Sequence, residues 1–178
     1  MKILLIGPQG SGKTTQAKIL AQKLGLKFSG TGEMLREIAK EGGPEAEKLN
    51  EIFATGKLLD DQTICRLVKE TLSDSDYRNG FIIDGYPRTI QQKNIFDPNF
   101  DIVFYIKITD KEAIRRLVNR GRFDDTPEVI KNRLDLYHQE TGPLLDIFLN
   151  EGKLWVVEGE QSIEAVTEQI FKRLNLKI

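Results

Sequence analysis

The sequence has 178 residues, of which 39% are apolar and 30% are charged. This length and balance are typical of one folded domain with a sizeable core, and they exclude a chain that stays disordered. The net charge of −1 provides no overall attraction to nucleic acid or to an acidic membrane, so any phosphate binding must come from local clusters of arginine and lysine.

The apolar runs of the chain alternate with helical patterns. The runs are short and rich in β-branched or aromatic residues, which predicts buried strands at Ile3–Ile6, Phe28–Ser29, Phe81–Ile83, Ile102–Ile106 and Leu154–Val157. Strands that alternate with helices imply a parallel sheet covered on both faces, and ligands of such sheets bind beyond the carboxyl ends of the strands. The predicted fold is therefore α/β, a three-layer αβα sandwich with a five-stranded parallel sheet.

Capping residues indicate where several helices begin. The clearest signals are a capping box at Thr109–Glu112, a cap with proline at the first helical position at Thr126-Pro127, and an N-cap at Ser162 before the apolar pattern of 163–174. Glycines at positions 42, 43 and 56 divide residues 30–60 into short helical pieces. This segment is interpreted as an insert rather than as part of the core.

The only cysteine of the chain is Cys65. One cysteine excludes an internal disulfide and a four-thiolate zinc site, so we expect no zinc. Its neighbours Ile64, Leu67 and Val68 follow helical spacing, which favours a buried thiol that packs as a small apolar residue. The run Ile3–Ile6 is too short for a signal peptide, and no stretch reaches transmembrane length. We therefore expect a cytoplasmic protein with no membrane contact.

The residues after the first predicted strand, GPQGSGKT, match the phosphate-binding loop G-x-x-x-x-G-K-[ST]. Glycine lets the backbone curl so that its N–H groups point at phosphate oxygens, and the following helix adds its positive N-terminal end. The expected ATP-binding residues of this loop are Gly7, Gly10, Ser11, Gly12, Lys13, Thr14 and Thr15. Lys13 would bridge the β- and γ-phosphates, and the Thr14 hydroxyl would face Mg²⁺. The alternative is an accidental glycine-rich turn, which the preceding strand and the following helix disfavour.

A second candidate for the metal site is Asp84, at the end of the strand that begins at Phe81. An aspartate in this place holds Mg²⁺ in P-loop proteins, directly or through water. The alternative is a helix cap, but Gly85-Tyr86-Pro87 intervenes before the next helical pattern. We therefore predict Thr14 and Asp84 as the metal-binding pair.

The residues Asp84–Gln92, DGYPRTIQQ, resemble the D-G-[FY]-P-R-x-x-x-Q signature of the adenylate kinase family of nucleoside-monophosphate kinases. Four further segments resemble other elements of that family: Thr31–Arg36, Gly56–Asp61, Arg116–Arg133 and Glu158–Ile163. The resemblance therefore covers nearly the whole chain. It implies one P-loop kinase domain over 1–178, with an NMP-binding insert at 30–59 and a very short lid at 120–126. It also implies Mg²⁺-dependent, reversible phosphoryl transfer from ATP to AMP, giving two ADP, by a monomer whose partners are nucleotides.

The resemblance further implies a role for individual residues. On the AMP side these are Thr31, Leu59, Gly85 and Gln92 around the adenine, and Arg36, Arg88, Arg122 and Arg133 around the phosphate. On the ATP side, beyond the loop, these are Arg116 and the backbone near Gln161 at the adenine, and Arg120 at the phosphates. The catalytic residues would be Lys13, Arg88, Arg122 and Arg133.

Arginine suits this chemistry because its planar fork binds phosphate oxygens bidentately and stays charged. Phosphoryl transfer needs positioning and positive charge rather than a general base, so the lone His138 is interpreted as a solvated surface residue. Taken singly, each arginine has an ordinary alternative. Arg116 and Arg120 with Glu112, for example, would also form a solvated salt-bridge face of a helix.

The lid departs from the family pattern. Family lids place several residues, or a zinc-bearing subdomain, between the arginines that match Arg120 and Arg122, but only Gly121 separates them here. A lid excludes water from the reaction, so we expect this protein to exclude water less well.

Two other functions remain open at this level. One is a UMP/CMP kinase or another small-metabolite kinase on the same scaffold, and Thr31 argues against it because pyrimidine-preferring relatives tend to carry alanine there. The other is a nucleotide-binding module with little turnover, which the short lid suggests. The retention of Lys13, Arg36, Arg88 and Arg133 argues against this second alternative.

Overall fold

The computed structural model describes residues 1–176, and its strands lie where the apolar runs predict them. The strands are β1 Lys2–Ile6, β2 Lys27–Gly30, β3 Phe81–Asp84, β4 Ile102–Lys107 and β5 Leu154–Glu158. They form one parallel sheet in the order β2-β3-β1-β4-β5, which confirms the predicted five-stranded α/β architecture. β1 is the central strand, so the loop that follows it leaves from the middle of the carboxyl edge.

The helices cover both faces of this sheet. They are α1 Lys13–Leu24, α2 Thr31–Glu41, α3 Pro44–Thr55, α4 Asp61–Leu72, α5 Ile90–Ile95, α6 Asp110–Arg120, α7 Pro127–Leu136, α8 Gly142–Asn150 and α9 Ile163–Arg173. A 3₁₀ turn spans Ser75–Tyr77, and a π-helical turn, Tyr137–Thr141, joins α7 to α8. The π turn was not predicted from the sequence.

Alternate residues of the central strand enter two different apolar clusters. Leu4 and Ile6 pack on the face covered by α4 and α8, whereas Ile3 and Leu5 pack on the face covered by α1 and α9. Because successive side chains of a strand point to opposite faces, this division gives three layers. It confirms the predicted αβα sandwich and explains why Ile3–Ile6 of the central strand are all apolar.

The predicted helix caps are present, with one correction. Thr126 and Ser162 accept hydrogen bonds from backbone N–H groups in the first turns of α7 and α9. Thr109 likewise caps α6, but the reciprocal bond of a capping box is absent, because the Glu112 carboxylate binds two nearby arginines instead. The N–H group of Thr109 donates to Glu160 at 2.6 Å. Charged partners within reach have therefore displaced the local capping pattern.

The segment 30–59 forms helices α2 and α3, and the glycines end or begin these helices as predicted. However, Leu35, Leu49, Phe53 and Leu59 lie in the same apolar cluster as residues of the sheet. The segment therefore packs against the sheet, and its interpretation as an insert stays a prediction. Within residues 1–176, no helix is both long and apolar enough to cross a membrane.

The packing of this segment leads to a first prediction. Leu49 is fully buried on α3, so Leu49→Ala should lower the free energy of unfolding by about 2–5 kcal/mol. Leu149→Ala is the matched control, because Leu149 is 60% exposed on α8 and its loss should cost less than about 0.5 kcal/mol. Urea unfolding followed by the fluorescence of Trp155 measures both. A separate early transition in Leu49→Ala would show that the segment unfolds independently.

Candidate active site

A cavity of about 500 Å³ opens at the carboxyl edge of the sheet, and it gathers most of the residues predicted from the sequence. Its lining includes Gly7, Gly10, Gly12, Lys13, Thr14, Thr15, Thr31, Arg36, Leu59, Asp84, Gly85, Arg88, Gln92, Arg116, Arg120, Arg122 and Arg133. Ser11 and Gln161 are the predicted residues outside this lining. Ser11 is buried in the loop, where its hydroxyl accepts from Lys13, and the side chain of Gln161 accepts from Gln169.

The backbone of the phosphate-binding loop passes close to β4 and α6 at two glycine positions. At Gly7, with φ of 152°, a Cβ atom would lie 2.5 Å from the carbonyl oxygen of Ile106. At Gly10, with φ of 83°, it would lie 3.0 Å from the carbonyl oxygen of Ala113. The contact at Gly7 is closer than a Cβ atom tolerates, and the one at Gly10 is tight in a backbone conformation that other residues rarely adopt. Glycine at both positions therefore lets the loop approach β4 and α6.

Lys13 folds back onto the loop that carries it. Its ammonium group donates to the carbonyl oxygen of Pro8 at 2.8 Å and to the hydroxyl of Ser11 at 3.3 Å. Burial lowers the pKa of Lys13 to about 8, and the charges of Arg88 and Arg120 add to this effect while Asp84 opposes it. A phosphate bound in the loop would take the place of the Pro8 carbonyl oxygen as the acceptor for Lys13. Because the phosphate is negatively charged, it would favour the ammonium form of Lys13.

Thr14 and Asp84 meet at the floor of the cavity. The Thr14 hydroxyl donates to Asp84 Oδ2 at 2.5 Å, and Asp84 is buried at the end of β3, beside the loop. This arrangement of two hard oxygen donors fits Mg²⁺, which takes one or two protein ligands and completes its shell with water and phosphate oxygens. Among residues 1–176, no cluster of three or more His, Cys, Asp or Glu side chains could hold a metal by itself. The cap of the following helix α5 is Thr89 rather than Asp84.

Two aspartates of the lid hold the arginines that surround the cavity. Asp124 accepts from Arg133 and, at 3.4 Å, from Arg36 on α2. Asp125 accepts two hydrogen bonds from Arg120, at 2.7 and 2.8 Å, and one from Arg133 at 3.3 Å. Burial acts to raise the pKa of Asp124, but Arg133 and Arg36 outweigh it and hold this pKa below its ordinary value. These ion pairs connect the predicted insert, the predicted lid and α7 at the cavity.

Arg88 is held by its own loop and by a distant residue. Its N–H group donates to Gln92 Oε1 at 2.7 Å, its Nε donates to the carbonyl oxygen of Gly85 at 3.0 Å, and its own carbonyl oxygen accepts from the Thr141 hydroxyl at 2.8 Å. Burial lowers the pKa of Arg88, and the nearby charges of Arg133 and Arg36 lower it further, against the opposing effect of Asp84. Arg36, Arg88 and Arg133 therefore lie near one another at the cavity.

The segment 120–126, which was predicted to be the lid, forms a single turn between α6 and α7. The N–H group of Asp125 donates to the carbonyl oxygen of Arg122 at 2.9 Å, which closes the turn. Arg122 lines the cavity, whereas the neighbouring Phe123 is 74% exposed. On the adjacent helix, Arg116 donates to Glu112 at 2.6 Å and to the carbonyl oxygen of Gly159 at 2.9 Å. Arg116 therefore connects α6 to the loop that carries Gln161.

The side of the cavity formed by the predicted insert, residues 30–59, has polar groups that suit a nucleotide base. The hydroxyl of Thr31 is buried at the start of α2 and has no hydrogen-bond partner among the described residues. Gln92 is also buried, and its amide nitrogen donates to Asp61 at 2.9 Å while its amide oxygen accepts from Arg88. Thr31 is therefore available to a ligand as it stands, whereas Gln92 would have to exchange a partner.

The structure adds cavity residues that were not predicted from the sequence. Tyr137 and Thr141 of the π turn line the cavity, and the Tyr137 hydroxyl is buried without a hydrogen-bond partner among the described residues. Spacing could have found Tyr137, which follows Arg133 by four residues, whereas Thr141 reaches the cavity only through the π turn.

Two residues that were interpreted from the sequence as a packing thiol and a surface histidine lie outside the cavity lining. Cys65 is buried, with its sulfur 3.2 Å from the hydroxyl of Tyr86, and burial raises the pKa of its thiol. His138 is exposed, and its ring contacts the carboxylate of Asp110 at 2.9 Å. Both interpretations of these side chains are confirmed.

The lowered pKa of Lys13 leads to a prediction about pH. The nucleotide-free protein loses this positive charge as pH rises through about 8, while bound phosphate favours the charged form. We therefore expect affinity for ATP to fall as pH rises from about 7 to about 9, by up to about tenfold per unit above 8, with proton uptake on binding. Calorimetry in buffers of different ionisation enthalpy measures both effects.

Lys13→Arg is the control for this experiment, because arginine stays charged throughout the range. Its ATP affinity should be independent of pH. An equal fall in both proteins would show that a different group titrates.

Comparison with known proteins agrees with this geometry. A model of the adenylate kinase family matches residues 5–153. The chain is 36% identical over 176 residues to adenylate kinase 1 of Nostoc sp., covering 95% of this chain and 96% of that protein. It is 34% identical over 181 residues to adenylate kinase of Corynebacterium glutamicum, covering 98% and 99%. It is 32% identical over 216 aligned positions to adenylate kinase of Francisella tularensis subsp. novicida, covering 98% and 99%.

The lengths of these alignments differ. The Francisella alignment is longer than this chain of 178 residues, so that relative carries additional residues. The Nostoc alignment is not, so relatives of about the present size exist. The match of the family model over most of the chain, with identities above 30% across nearly the full length of each relative, shows that this chain belongs to the adenylate kinase family.

Proposed function

We propose that this chain is an ATP:AMP phosphotransferase, which moves the terminal phosphoryl group of ATP to AMP and forms two ADP in a reversible reaction. The observation that carries the proposal is the convergence of Lys13, Arg36, Arg88 and Arg133 on one cavity that also contains the phosphate-binding loop. These groups come from separate parts of the fold. Such an arrangement suits two phosphate chains that must be held end to end despite their charge.

ATP would occupy the side of the cavity formed by the loop. Backbone N–H groups of the loop and the ammonium of Lys13 would bind its phosphates, with Arg120 added from α6. Mg²⁺ held near Thr14 and Asp84 would neutralise part of the phosphate charge. Arg116, beside the loop that carries Gln161, would lie against the adenine.

AMP would occupy the side formed by the insert. The free hydroxyl of Thr31 and the amide of Gln92 would meet the adenine, near Leu59 and Gly85. Arg36 and Arg88 would bind the phosphate. Arg36 is paired only loosely with Asp124, at 3.4 Å, so a phosphate can replace that carboxylate.

The reaction needs no proton transfer from the protein. An AMP phosphate oxygen attacks the γ-phosphorus of ATP, a new P–O bond forms, and the bond to the β–γ bridging oxygen breaks, so that the electron pair stays on ADP. Arg88, Arg122 and Arg133 would stabilise the charge spread over the transferred group, and Lys13 would stabilise the leaving oxygen. Positioning and fixed positive charge would supply the rate enhancement.

The finer points of partner and location are part of the proposal. With a net charge of −1, we expect no binding to nucleic acid or to an acidic membrane. The free, buried Cys65 suits a reducing compartment such as the cytoplasm. We expect the protein to act as a monomer, because every group named above comes from one chain.

The test of the proposed function is incubation with ATP, Mg²⁺ and one monophosphate at a time, with ADP measured by chromatography. We expect ADP with AMP and much less with UMP or CMP. Lys13→Ala should lower turnover at least about a hundredfold, because it removes a charge that acts on the leaving oxygen.

Two outcomes would support the alternatives. Turnover with UMP or CMP at the rate of AMP would indicate a pyrimidine-nucleotide kinase on the same scaffold. Binding of nucleotides without ADP formation would indicate a binding module. Unchanged turnover in Lys13→Ala would contradict the assigned phosphate cradle.

The lid of one turn leads to a further prediction. Because so little chain covers the phosphates, we expect detectable hydrolysis of ATP without AMP, or weaker ATP affinity, relative to a family member with a longer lid. Phosphate release and equilibrium binding, measured side by side under one set of conditions, test this. Equal affinity with no hydrolysis in either protein would count against it.

A further inference from the structure

Arg88 is fixed everywhere except at the end that faces the cavity. Its N–H, carbonyl and Nε groups each have a protein partner, at 2.7, 2.8 and 3.0 Å. Among the described residues, neither terminal nitrogen of its guanidinium has a hydrogen-bond partner. The protein therefore holds the root of this side chain and leaves the fork available to a phosphate.

Of the three anchors, only the one from Thr141 comes from a distant part of the chain. Gly85 and Gln92 belong to the loop and short helix that contain Arg88, and they would move with it. Thr141 is 53 residues away and 7% exposed, and its hydroxyl donates to the Arg88 carbonyl oxygen. This bond therefore ties the Arg88 backbone to the continuous helical segment of α7 and α8, whereas Gln92 ties the short helix α5 to Asp61 at the start of α4.

The element that provides Thr141 also carries Arg133. Helix α7, the π turn and α8 follow one another without a break, and Arg133, Tyr137 and Thr141 all line the cavity. In an α-helix, residues four apart drift by about 40° around the axis, so two such steps would turn Thr141 away from the face of Arg133. The wider π turn, closed by the N–H group of Gly142 on the carbonyl oxygen of Tyr137, offsets that drift.

An anchor is needed here because Arg88 faces like charges. Arg133 and Arg36 both act on it, and Asp84 is the opposing charge that lies near. Without a fixed backbone, repulsion would move the guanidinium of Arg88 toward solvent, where charges are screened. A displacement of about 1 Å in a positioning group is enough to cost up to about a hundredfold in rate.

We propose that Thr141 is a positioning residue for Arg88, and that the π turn lets one helical rod both carry Arg133 and hold Arg88 at a fixed separation from it. The inference rests on the proposed function, in which both arginines bind the phosphoryl group that is transferred. In this proposal the Thr141 hydroxyl binds the Arg88 carbonyl oxygen rather than a substrate. It acts through the backbone of Arg88 alone.

The test compares Thr141→Val, which keeps the shape and removes the donor, with Thr141→Ser, which keeps the hydroxyl. Thr141→Val should weaken AMP binding and lower kcat, each by about tenfold or more, while KM for ATP stays unchanged. Thr141→Ser should stay near wild type. If Thr141→Val does not fold, Thr141→Ala, which leaves room for water at the Arg88 carbonyl, replaces it with the same expectations.

A double-mutant cycle separates positioning from a general effect on folding. In the Arg88→Ala background, Thr141→Val should cause no further loss of AMP affinity, measured by calorimetry, because the group through which it acts is gone. The inference would be overturned if Thr141→Val lowered AMP affinity equally in the wild-type and Arg88→Ala backgrounds. It would also be overturned if Thr141→Val and Thr141→Ser lowered AMP affinity equally. Unchanged AMP affinity in Thr141→Val would overturn it as well.

Failure of the proposed function would be visible separately. Wild-type protein that forms no ADP from ATP and AMP contradicts the reaction itself. The affinity measurements on the variants do not depend on turnover, so they still decide whether Thr141 acts through Arg88.

Discussion

The arrangement of the site depends on holding several positive charges close together in a partly buried space. Burial lowers the pKa of Lys13 to about 8 and also lowers that of Arg88, which shows that the fold holds these groups against their preference. Asp84, Asp124 and Asp125 make this possible by pairing with the cations. Such pairing leaves the charges oriented but exchangeable, because a phosphate offers more oxygens and more charge than a carboxylate. The three aspartates therefore mark the positions at which phosphate groups can bind to the cations.

Much of this could be predicted from the sequence, because the signals involved are local. Apolar runs predicted β1, β3, β4 and β5, and the shorter pattern at Phe28–Ser29 predicted β2. The glycine pattern predicted a loop whose backbone leaves little space for side chains at Gly7 and Gly10. Asp84 was recognisable because it ends an apolar run. In each case the residues that determine the structure are close neighbours in the chain.

What could not be predicted depends on contacts between distant segments. Gln92 binds Asp61, 31 residues away, and the anchor of Arg88 is 53 residues away. The reciprocal bond of the capping box was predicted and is absent, because two arginines compete for Glu112. The π turn has no simple sequence signature either, since its function is to align side chains that only the folded cavity brings into use.

The single-turn lid has a consequence for the energetics of the catalytic cycle. A long, mobile cover must lose many conformations when substrates arrive, and that entropy is a cost of binding. A turn already closed between Arg122 and Asp125 has few conformations to lose, which partly offsets the substrate contacts that so short a segment does not make. Its opening is correspondingly small, so departure of ADP should be limited by the phosphate contacts themselves rather than by a large rearrangement of the chain.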